Sequence, residues 1–224
     1  MKKNNNLFSE YNKNIIISNV VKYSSEFPEM LNPSIKKKDQ SKLNDAIKKN
    51  ILKTLDKVIK KTQRTTSPDE LTSIYLESYF GHKKKDRDLY IEGYANQKKA
   101  EMHIGELLEL YIQKECFDNG WYCTGTIIED VDFVKKKDNC WEVFQIKNSD
   151  NTENNAASKT RKGTIIKKWV RRNSKFGLDD YIKKKKIKNQ YYWNIFPGNT
   201  TNKKLSEEGF RSFIKDYFKG ITEE

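Results

Sequence analysis

The spacing of apolar residues predicts several amphipathic helices along this chain. In each of them apolar side chains recur every three or four residues, with charged side chains on the opposite face. A helix-start pattern begins at Ser67, and Gly81 is a typical helix end. The run Ile15–Val21 fits either a short strand or a buried helical turn, and the charged run His82–Asp88 predicts a loop. The predicted helices are Asp39–Gln63, Ser67–Phe80, Asn96–Asn119 and Ser206–Gly220.

Alternation of apolar and polar residues predicts a β-hairpin in the middle of the chain. β-Branched and aromatic residues fill its two strands, Ile127–Val134 and Cys140–Ile146, and the polar turn Lys135–Asn139 separates them. The aromatic run Gln190–Phe196 predicts another strand. The basic stretch Thr164–Asn173 predicts a helix with its apolar residues inward and its lysines and arginines outward.

The predicted hairpin gathers three side chains that suit metal-dependent chemistry. Because side chains alternate between the two faces of a strand, Gln145 and Lys147 share one face, and strand pairing places Asp132 near both. A carboxylate, a neutral oxygen and an ammonium group together can hold a divalent cation beside a water nucleophile. Lys and Asp at strand ends also serve as solvated surface pairs, so the pattern alone leaves both interpretations open.

The helix that leads into this hairpin carries two acids. Glu106 and Glu109 flank its apolar face, and Glu109 lies nearer to that face at 100° per residue. Glu109 is therefore expected to look toward the strands that follow. Glu142 on the second strand is expected to point away from Gln145, since the two residues are an odd number of positions apart.

Positive charge is concentrated in one segment. The chain has 44 Lys and Arg against 31 Asp and Glu, a net charge of +13, and residues 158–188 supply +11 through thirteen Lys and Arg and two Asp. Such an excess indicates a polyanionic partner, first nucleic acid and second an anionic membrane. A composition rich in Lys, Asn and Ile would raise the total by itself. The concentration of charge beside the candidate metal site favours nucleic acid.

Several classes of protein fit the composition poorly. Two histidines argue against His-dependent nucleases, zinc hydrolases and a Ser-His-Asp triad. No Gly-rich phosphate loop is present. Three cysteines without a C-x-x-C pair suit a reducing compartment, and neither a signal peptide nor a membrane span is seen. We expect a soluble protein of the prokaryotic cytoplasm with no membrane partner.

The order of a helix with Glu, a strand with Asp and a strand ending in x-x-Lys resembles the PD-(D/E)XK nuclease core. More closely, the runs Val131–Phe133 and Trp141–Asn148, followed by Asn151–Asn154 and by Ser158-x-x-Arg161-x-Gly163-Thr164, are similar to the SinI-like type II restriction endonucleases. The resemblance is strongest over residues 100–172. It implies an α/β (α+β) fold with a restriction-endonuclease-like core, in which helices flank a mixed central sheet. A mainly helical region, residues 1–95, would pack on a nuclease core, residues 96–224, as one structural domain.

The resemblance also implies an activity and roles for the site residues. It implies a Mg²⁺-dependent endonuclease that cuts both strands of duplex DNA at a short site and leaves 5′-phosphate and 3′-hydroxyl ends. Asp132, Gln145 and the carbonyl of Ile146 would bind metal, with Gln145 in place of the usual Asp or Glu. Lys147 would orient or deprotonate the attacking water and stabilise charge at the phosphate. Glu109 would be the helix acid, with Glu106 as the alternative.

DNA contacts and partners follow from the same resemblance. A symmetric DNA site would imply a homodimer, and a cognate DNA methyltransferase is expected in the same cell but not as a physical partner. A non-catalytic basic DNA-binding module, and a repair nuclease or junction resolvase on the same core, remain the alternatives. The expected DNA-contacting residues are Asn148, Asn151, Glu153, Asn154, Ser158, Lys159, Arg161, Lys167, Lys168 and Arg171.

Overall fold

The computed structural model describes residues 7–59, 70–150, 165–173 and 191–222. The chain forms two compact units, one made of residues 1–57 and 107–224 and the other of residues 58–106. Residues 1–57 thus share a unit with the predicted nuclease core. The proposed division of the chain at residue 96 stays a prediction. Within the described residues, no helix is long and apolar enough to cross a membrane.

A four-stranded mixed sheet forms the centre of the first unit. The strands follow one another in the order β1-β2-β3-β4, with antiparallel pairing of β1, β2 and β3 and parallel pairing of β3 with β4. β2 and β3 form the hairpin that the sequence predicts, with a shorter turn in which Asp138 adopts φ +54. The fold class is therefore confirmed. The strands are β1 Trp121–Cys123, β2 Phe133–Lys137, β3 Cys140–Ser149 and β4 Lys167–Arg172.

The described residues contain six α-helices, and the residues of one of them, α5, fall in both units. The run Ile15–Val21 is helical and belongs to α1, which Ser9 caps by accepting the backbone N–H of Asn12. The apolar stripe of α3 is confirmed for Leu43, Ile47, Ile51 and Leu55, which are all buried. The helix ends at Leu55 and not at the predicted Gln63, and Val58, predicted on the same stripe, is 48% exposed. The helices are α1 Glu10–Glu26, α2 Pro33–Lys36, α3 Gln40–Leu55, α4 Glu70–Phe80, α5 Lys84–Cys116 and α6 Glu207–Thr222.

Aromatic side chains fill the space between the sheet and the last helix. The rings of Trp121 and Phe144 stack with centroids 4.5 Å apart, and Trp169 contacts both Trp193 and Phe196. Buried aromatic rings contribute more apolar area per residue than any other side chain. The tryptophans and phenylalanines of this lean chain therefore supply much of its core.

The predicted basic helix Thr164–Asn173 is wrong, because residues Lys167–Arg172 form strand β4. Trp169 and Arg171 alternate into the protein while Lys167 stays exposed. The doubled lysines and arginines around Trp169 fit a helical stripe and a strand almost equally well. Parallel pairing with β3 decides between the two, and a local pattern cannot report such long-range pairing.

Two other local predictions are also wrong. The predicted strand Gln190–Phe196 contains the 3-10 turn Trp193–Ile195, and Tyr191 forms a single β-bridge with Arg172 of β4. A 3-10 turn carries Trp193 and Phe196 into the core together, since side chains three residues apart lie above one another there. The predicted loop His82–Asp88 instead contains the start of α5 at Lys84.

Candidate active site

Asp132 lies directly before β2 and is fixed against β3 by backbone hydrogen bonds. Its N–H donates to the carbonyl of Phe144 at 2.9 Å, and its own carbonyl accepts the N–H of Thr124 at 3.0 Å. Its carboxylate Oδ2 accepts the backbone N–H of Ile146 at 2.6 Å. The Asp132 carboxylate therefore lies beside the segment that carries Gln145 and Lys147, as the hairpin pattern predicts.

The surroundings of Asp132 disfavour its negative charge. Burial raises the pKa of this carboxyl to about 6, and nearby Asp130 raises it as well. The N–H of Ile146 and the charge of Lys147 lower the pKa but do not offset burial. A carboxylate held in this way gains from any additional positive charge beside it, which is the property expected of a cation ligand.

Gln145 is almost fully buried, at 2% exposure. Its side-chain oxygen Oε1 accepts no hydrogen bond from any group that the structure describes. An unsatisfied buried oxygen costs about 1–3 kcal/mol. Gln145 directly precedes Ile146, whose N–H binds Asp132. Coordination of a metal by Oε1 would account for an oxygen that is buried without a hydrogen bond.

These donors fit a hard divalent cation. The carboxylate of Asp132 and the amide oxygen of Gln145 are oxygen ligands of the kind that Mg²⁺ and Ca²⁺ take. Among the described residues, no group of three His, Cys, Asp or Glu is placed to hold a metal. A metal at this position would therefore rely on one carboxylate supplemented by neutral oxygens.

Glu109 lies on α5 one turn before a glutamine that joins this helix to β1. The side chain of Gln113 is fully buried, donates to the carbonyl of Trp121 at 2.9 Å and accepts the N–H of Cys123 at 2.6 Å. Glu109 shares that helix face, four residues earlier. Together with burial, the larger cause, its charge raises the pKa of the Cys123 thiol. Glu109 is thus close to β1, and its role as the helix acid stays a prediction.

The other acids are placed differently. Glu142 forms an ion pair with Lys167 of β4, and this contact lowers the pKa of the Glu142 carboxyl. Its engagement there agrees with the expectation that it points away from Gln145. Glu106 belongs to the second compact unit, so its candidacy as the alternative helix acid also stays a prediction.

The expected DNA contacts that the structure describes lie at the end of β3 and on β4. Lys167 and Lys168 lie on β4, and Lys167 is exposed while paired with Glu142. Their role, like that of Asn148, stays a prediction. The expected contacts Asn151, Glu153, Asn154, Ser158, Lys159 and Arg161 lie outside the described residues.

Arg171 is the expected DNA contact whose environment differs most from that role. The side chain is 8% exposed, and its Nη1 lies 2.7 Å from Glu207 Oε2 at the start of α6. Its Nε donates to Asn148 Oδ1 at 2.9 Å. Glu207 also accepts the indole N–H of Trp193 at 3.1 Å. Arg171 thus joins α6 to the residue that follows Lys147.

Sequence reasoning missed both Gln113 and Glu207. The start of α6 is predicted correctly, since Ser206 Oγ accepts the N–H of Gly209 at 3.0 Å. Nothing near Glu207 in the sequence shows that its partner lies 36 residues earlier. The position of Gln113 places it on the buried face of α5. A glutamine on such a face is usually interpreted as an edge residue, and its role becomes clear only once β1 is known to lie against it.

Replacing Glu207 with alanine is expected to reduce the free energy of unfolding by about 3 kcal/mol, because it leaves the buried Arg171 charge unpaired. Denaturant unfolding measures this change. Glu208→Ala is the matched control: it removes an acid from the exposed side of the same helical turn and should change stability by less than about 0.5 kcal/mol. Equal effects of the two substitutions would show that the ion pair contributes little.

Comparisons with known proteins extend the sequence resemblance over nearly the whole chain. A family model described as SinI restriction endonuclease matches residues 3–220. The type II restriction enzyme Eco47I of Escherichia coli is 34% identical over 208 residues, which cover 88% of this chain and 84% of that enzyme. The type II restriction enzyme SinI of Salmonella infantis is 34% identical over 166 residues, which cover 72% of this chain and 66% of that enzyme.

Proposed function

This chain belongs to the SinI restriction endonuclease family, and from that premise we propose that it hydrolyses both strands of duplex DNA at a short specific sequence with Mg²⁺. Family membership makes it a type II restriction endonuclease. That class binds double-stranded DNA and generally requires a divalent metal. The choice of Mg²⁺, the residues that hold it and the polarity of the ends are the proposed part.

The observation that carries the assignment of the site is the unsatisfied buried Oε1 of Gln145, one residue before the N–H that binds the Asp132 carboxylate. Asp132, Gln145 and the backbone carbonyl of Ile146 would hold Mg²⁺. Once bound, the ion would lower the pKa of a coordinated water and stabilise charge on the phosphate. The neutral amide of Gln145 gives the site less negative charge than a second carboxylate would. We therefore expect a weakly held ion that DNA phosphates help to retain.

Lys147 and Glu109 complete the proposed site. Lys147 would orient the attacking water or, as the neutral amine, accept its proton, and the resulting ammonium would stabilise negative charge at the phosphate. Glu109 would approach the same end of the sheet from α5. Attack in line with the leaving 3′ oxygen leaves a 5′-phosphate and a 3′-hydroxyl.

Contacts with DNA and with a second copy belong to the proposal too. Lys167 and Lys168 on β4, Asn148 and the basic segment after residue 150 would face the duplex, some of them on phosphates and others on base edges. A two-fold symmetric DNA site is matched by a two-fold symmetric protein, so we propose a homodimer.

Digestion of a long unmethylated duplex tests the function directly. We expect discrete fragments with Mg²⁺, intact DNA with EDTA, and one short sequence shared by all fragment ends when they are sequenced. Chemical analysis of the ends should find 5′-phosphates. Intact DNA that still shifts on a gel, equally for wild type and for Asp132→Ala, would instead indicate a non-catalytic DNA-binding module. Cleavage only at branched or damaged sites would indicate a resolvase or a repair nuclease.

A further inference from the structure

The helical hairpin of the second compact unit exposes a continuous aromatic surface. On α4, the rings of Tyr75, Tyr79 and Phe80 contact one another with centroids 4.9 to 5.9 Å apart. Phe80 then stacks on His82, which contacts Tyr90 of α5 at 4.5 Å. The four Tyr and Phe side chains are between 50% and 71% exposed. We call these five residues the aromatic surface.

Polar contacts and a turn hold this hairpin in shape. Gly81 ends α4 with φ +69, a conformation that suits glycine. Arg87 of α5 forms an ion pair with Glu77 of α4 at 2.8 Å. Among the described side chains from residue 71 to residue 106, none is buried. The aromatic residues of the hairpin therefore face outward and do not form a buried core between the two helices.

The exposed apolar area of the hairpin comes close to the area that a standard protein interface buries on each partner. Ile74 and Leu89, 52% and 67% exposed, extend the apolar composition of the hairpin. A half-exposed aromatic ring leaves on the order of 100 Å² accessible, so these six apolar side chains leave about 600 Å². A standard interface buries about 800 Å² on each partner. Contiguous patches of this size on a folded chain commonly mark a binding surface, and Tyr is enriched at such surfaces.

The charge of the hairpin favours a protein partner over a polyanion. Residues 58–106 contain nine Lys and Arg and eight Asp and Glu, a net charge of +1, which leaves +12 to the rest of the chain. DNA and anionic membranes are attracted to the strongly basic remainder rather than to this unit. Two copies of the chain repel each other through their basic remainders, and the nearly neutral hairpin is where that repulsion is smallest.

We propose that the aromatic surface of the α4–α5 hairpin is where two copies of this chain associate. The choice of a second copy rests on the proposed function, because each chain has one candidate active site and cutting both strands in one binding event takes two. A two-fold interface uses the same patch from both copies. A patch of rings that already contact one another can pack against its own copy with little loss of side-chain freedom.

Sedimentation velocity without DNA tests this proposal. We expect wild type to be a dimer at about 10 μM and Tyr79→Lys/Phe80→Lys to be a monomer, with a dissociation constant raised at least about 100-fold. Tyr90→Lys on α5 should weaken the dimer in the same direction. The matched control is Tyr11→Lys/Ile195→Lys, which changes two side chains that are 72% and 66% exposed in the first unit and should remain dimeric. Circular dichroism checks that all variants are folded.

Cleavage of a supercoiled plasmid supplies a second readout. The monomeric variant should accumulate nicked circles at low enzyme concentration, whereas wild type should give linear DNA. A double variant that remains dimeric would overturn the proposed interface. A wild type that sediments as a monomer would also overturn it, and would fit a surface that another segment of the same chain covers. Failure of wild type to cut DNA would contradict the proposed function and would leave the sedimentation result standing.

Discussion

Replacing Lys147 with alanine is expected to slow Mg²⁺-dependent DNA cleavage by about 10²- to 10⁴-fold while changing DNA affinity little. The lysine follows Gln145 and Ile146 on β3, and its charge is close enough to the Asp132 carboxylate to lower the pKa of that carboxyl. An ammonium group in this position can orient the attacking water and stabilise the negative charge that develops at the phosphate. Such an interaction is stronger in the transition state than in the bound ground state, so its loss appears in the rate rather than in the affinity.

Single-turnover cleavage at saturating enzyme measures the rate, and a gel-shift titration in EDTA measures the affinity. Lys137→Ala is the matched control, because it removes the same charge from the exposed end of β2. This control should change neither quantity by more than about twofold, in line with the small energies of exposed charges. If Lys147→Ala weakened binding by the same factor as it slowed cleavage, Lys147 would be a phosphate contact and not part of the reaction.

The hairpin could be predicted from the sequence because its signal is local. The predicted pairing of the two strands is confirmed, and it brings Asp132 to the backbone of Ile146 between Gln145 and Lys147. The first strand was predicted to begin too early, at Ile127. Ile127 and Ile128 are buried, but they pair with the segment around Leu31 and not with β3, since the carbonyl of Ile127 accepts the N–H of Asn32 and Ile128 bridges to Leu31. Buried loop residues can have the sequence pattern of a strand, because the sequence does not show that they pair with a segment far away in the chain.

The energetics of the site could not be predicted from the same pattern. That Gln145 is buried with an unsatisfied Oε1 depends on the packing around β3, as does the raised pKa of Asp132. The hydrogen bonds from Gln113 that join α5 to β1 form only because β1 lies against that helix. Residue types and spacing therefore named the candidate ligands, whereas the burial and the unsatisfied oxygen that support the proposal depend on tertiary structure.

The charge pattern does not show which basic residues also have a structural task. Arg171, in the basic stretch Thr164–Asn173, is predicted to contact DNA. In the structure it forms a buried ion pair with Glu207 and donates to Asn148, and its DNA contact stays a prediction. Positive charge along a sequence indicates a polyanionic partner for the segment as a whole, but it does not distinguish the arginines that contact that partner from those that organise the protein behind it.

Asp132→Asn is expected to abolish cleavage, by at least about 10³-fold, and at the same time to stabilise the metal-free protein above pH 6. The folded pKa of Asp132, about 6, lies above the ordinary value of 3.8. The folded state therefore binds the proton more tightly than the unfolded state does. Ionised Asp132 lowers stability fully above pH 6, and this penalty disappears below about pH 4.

Asparagine keeps the shape of the side chain and an oxygen for the N–H of Ile146, but it removes the buried charge. At 1.36 kcal/mol per pKa unit, the gain in the free energy of unfolding is up to about 3 kcal/mol at pH 8. Denaturant unfolding in EDTA at pH 8 and at pH 4 should show the gain at the higher pH and little difference at the lower. Asp138→Asn, which removes a charge from the exposed turn of the hairpin, should show neither the gain nor the loss of cleavage.

Added Mg²⁺ should narrow the stability difference between the two proteins at pH 8. A ligand that binds only the folded state raises its stability in proportion to the logarithm of ligand concentration, and only the protein with the Asp132 carboxylate should respond. Wild type should therefore gain thermal stability with increasing Mg²⁺ while Asp132→Asn stays unchanged. If Asp132→Asn lost both activity and stability at every pH, Asp132 would support the fold through its hydrogen bonds. Its buried charge would then not serve to bind a cation.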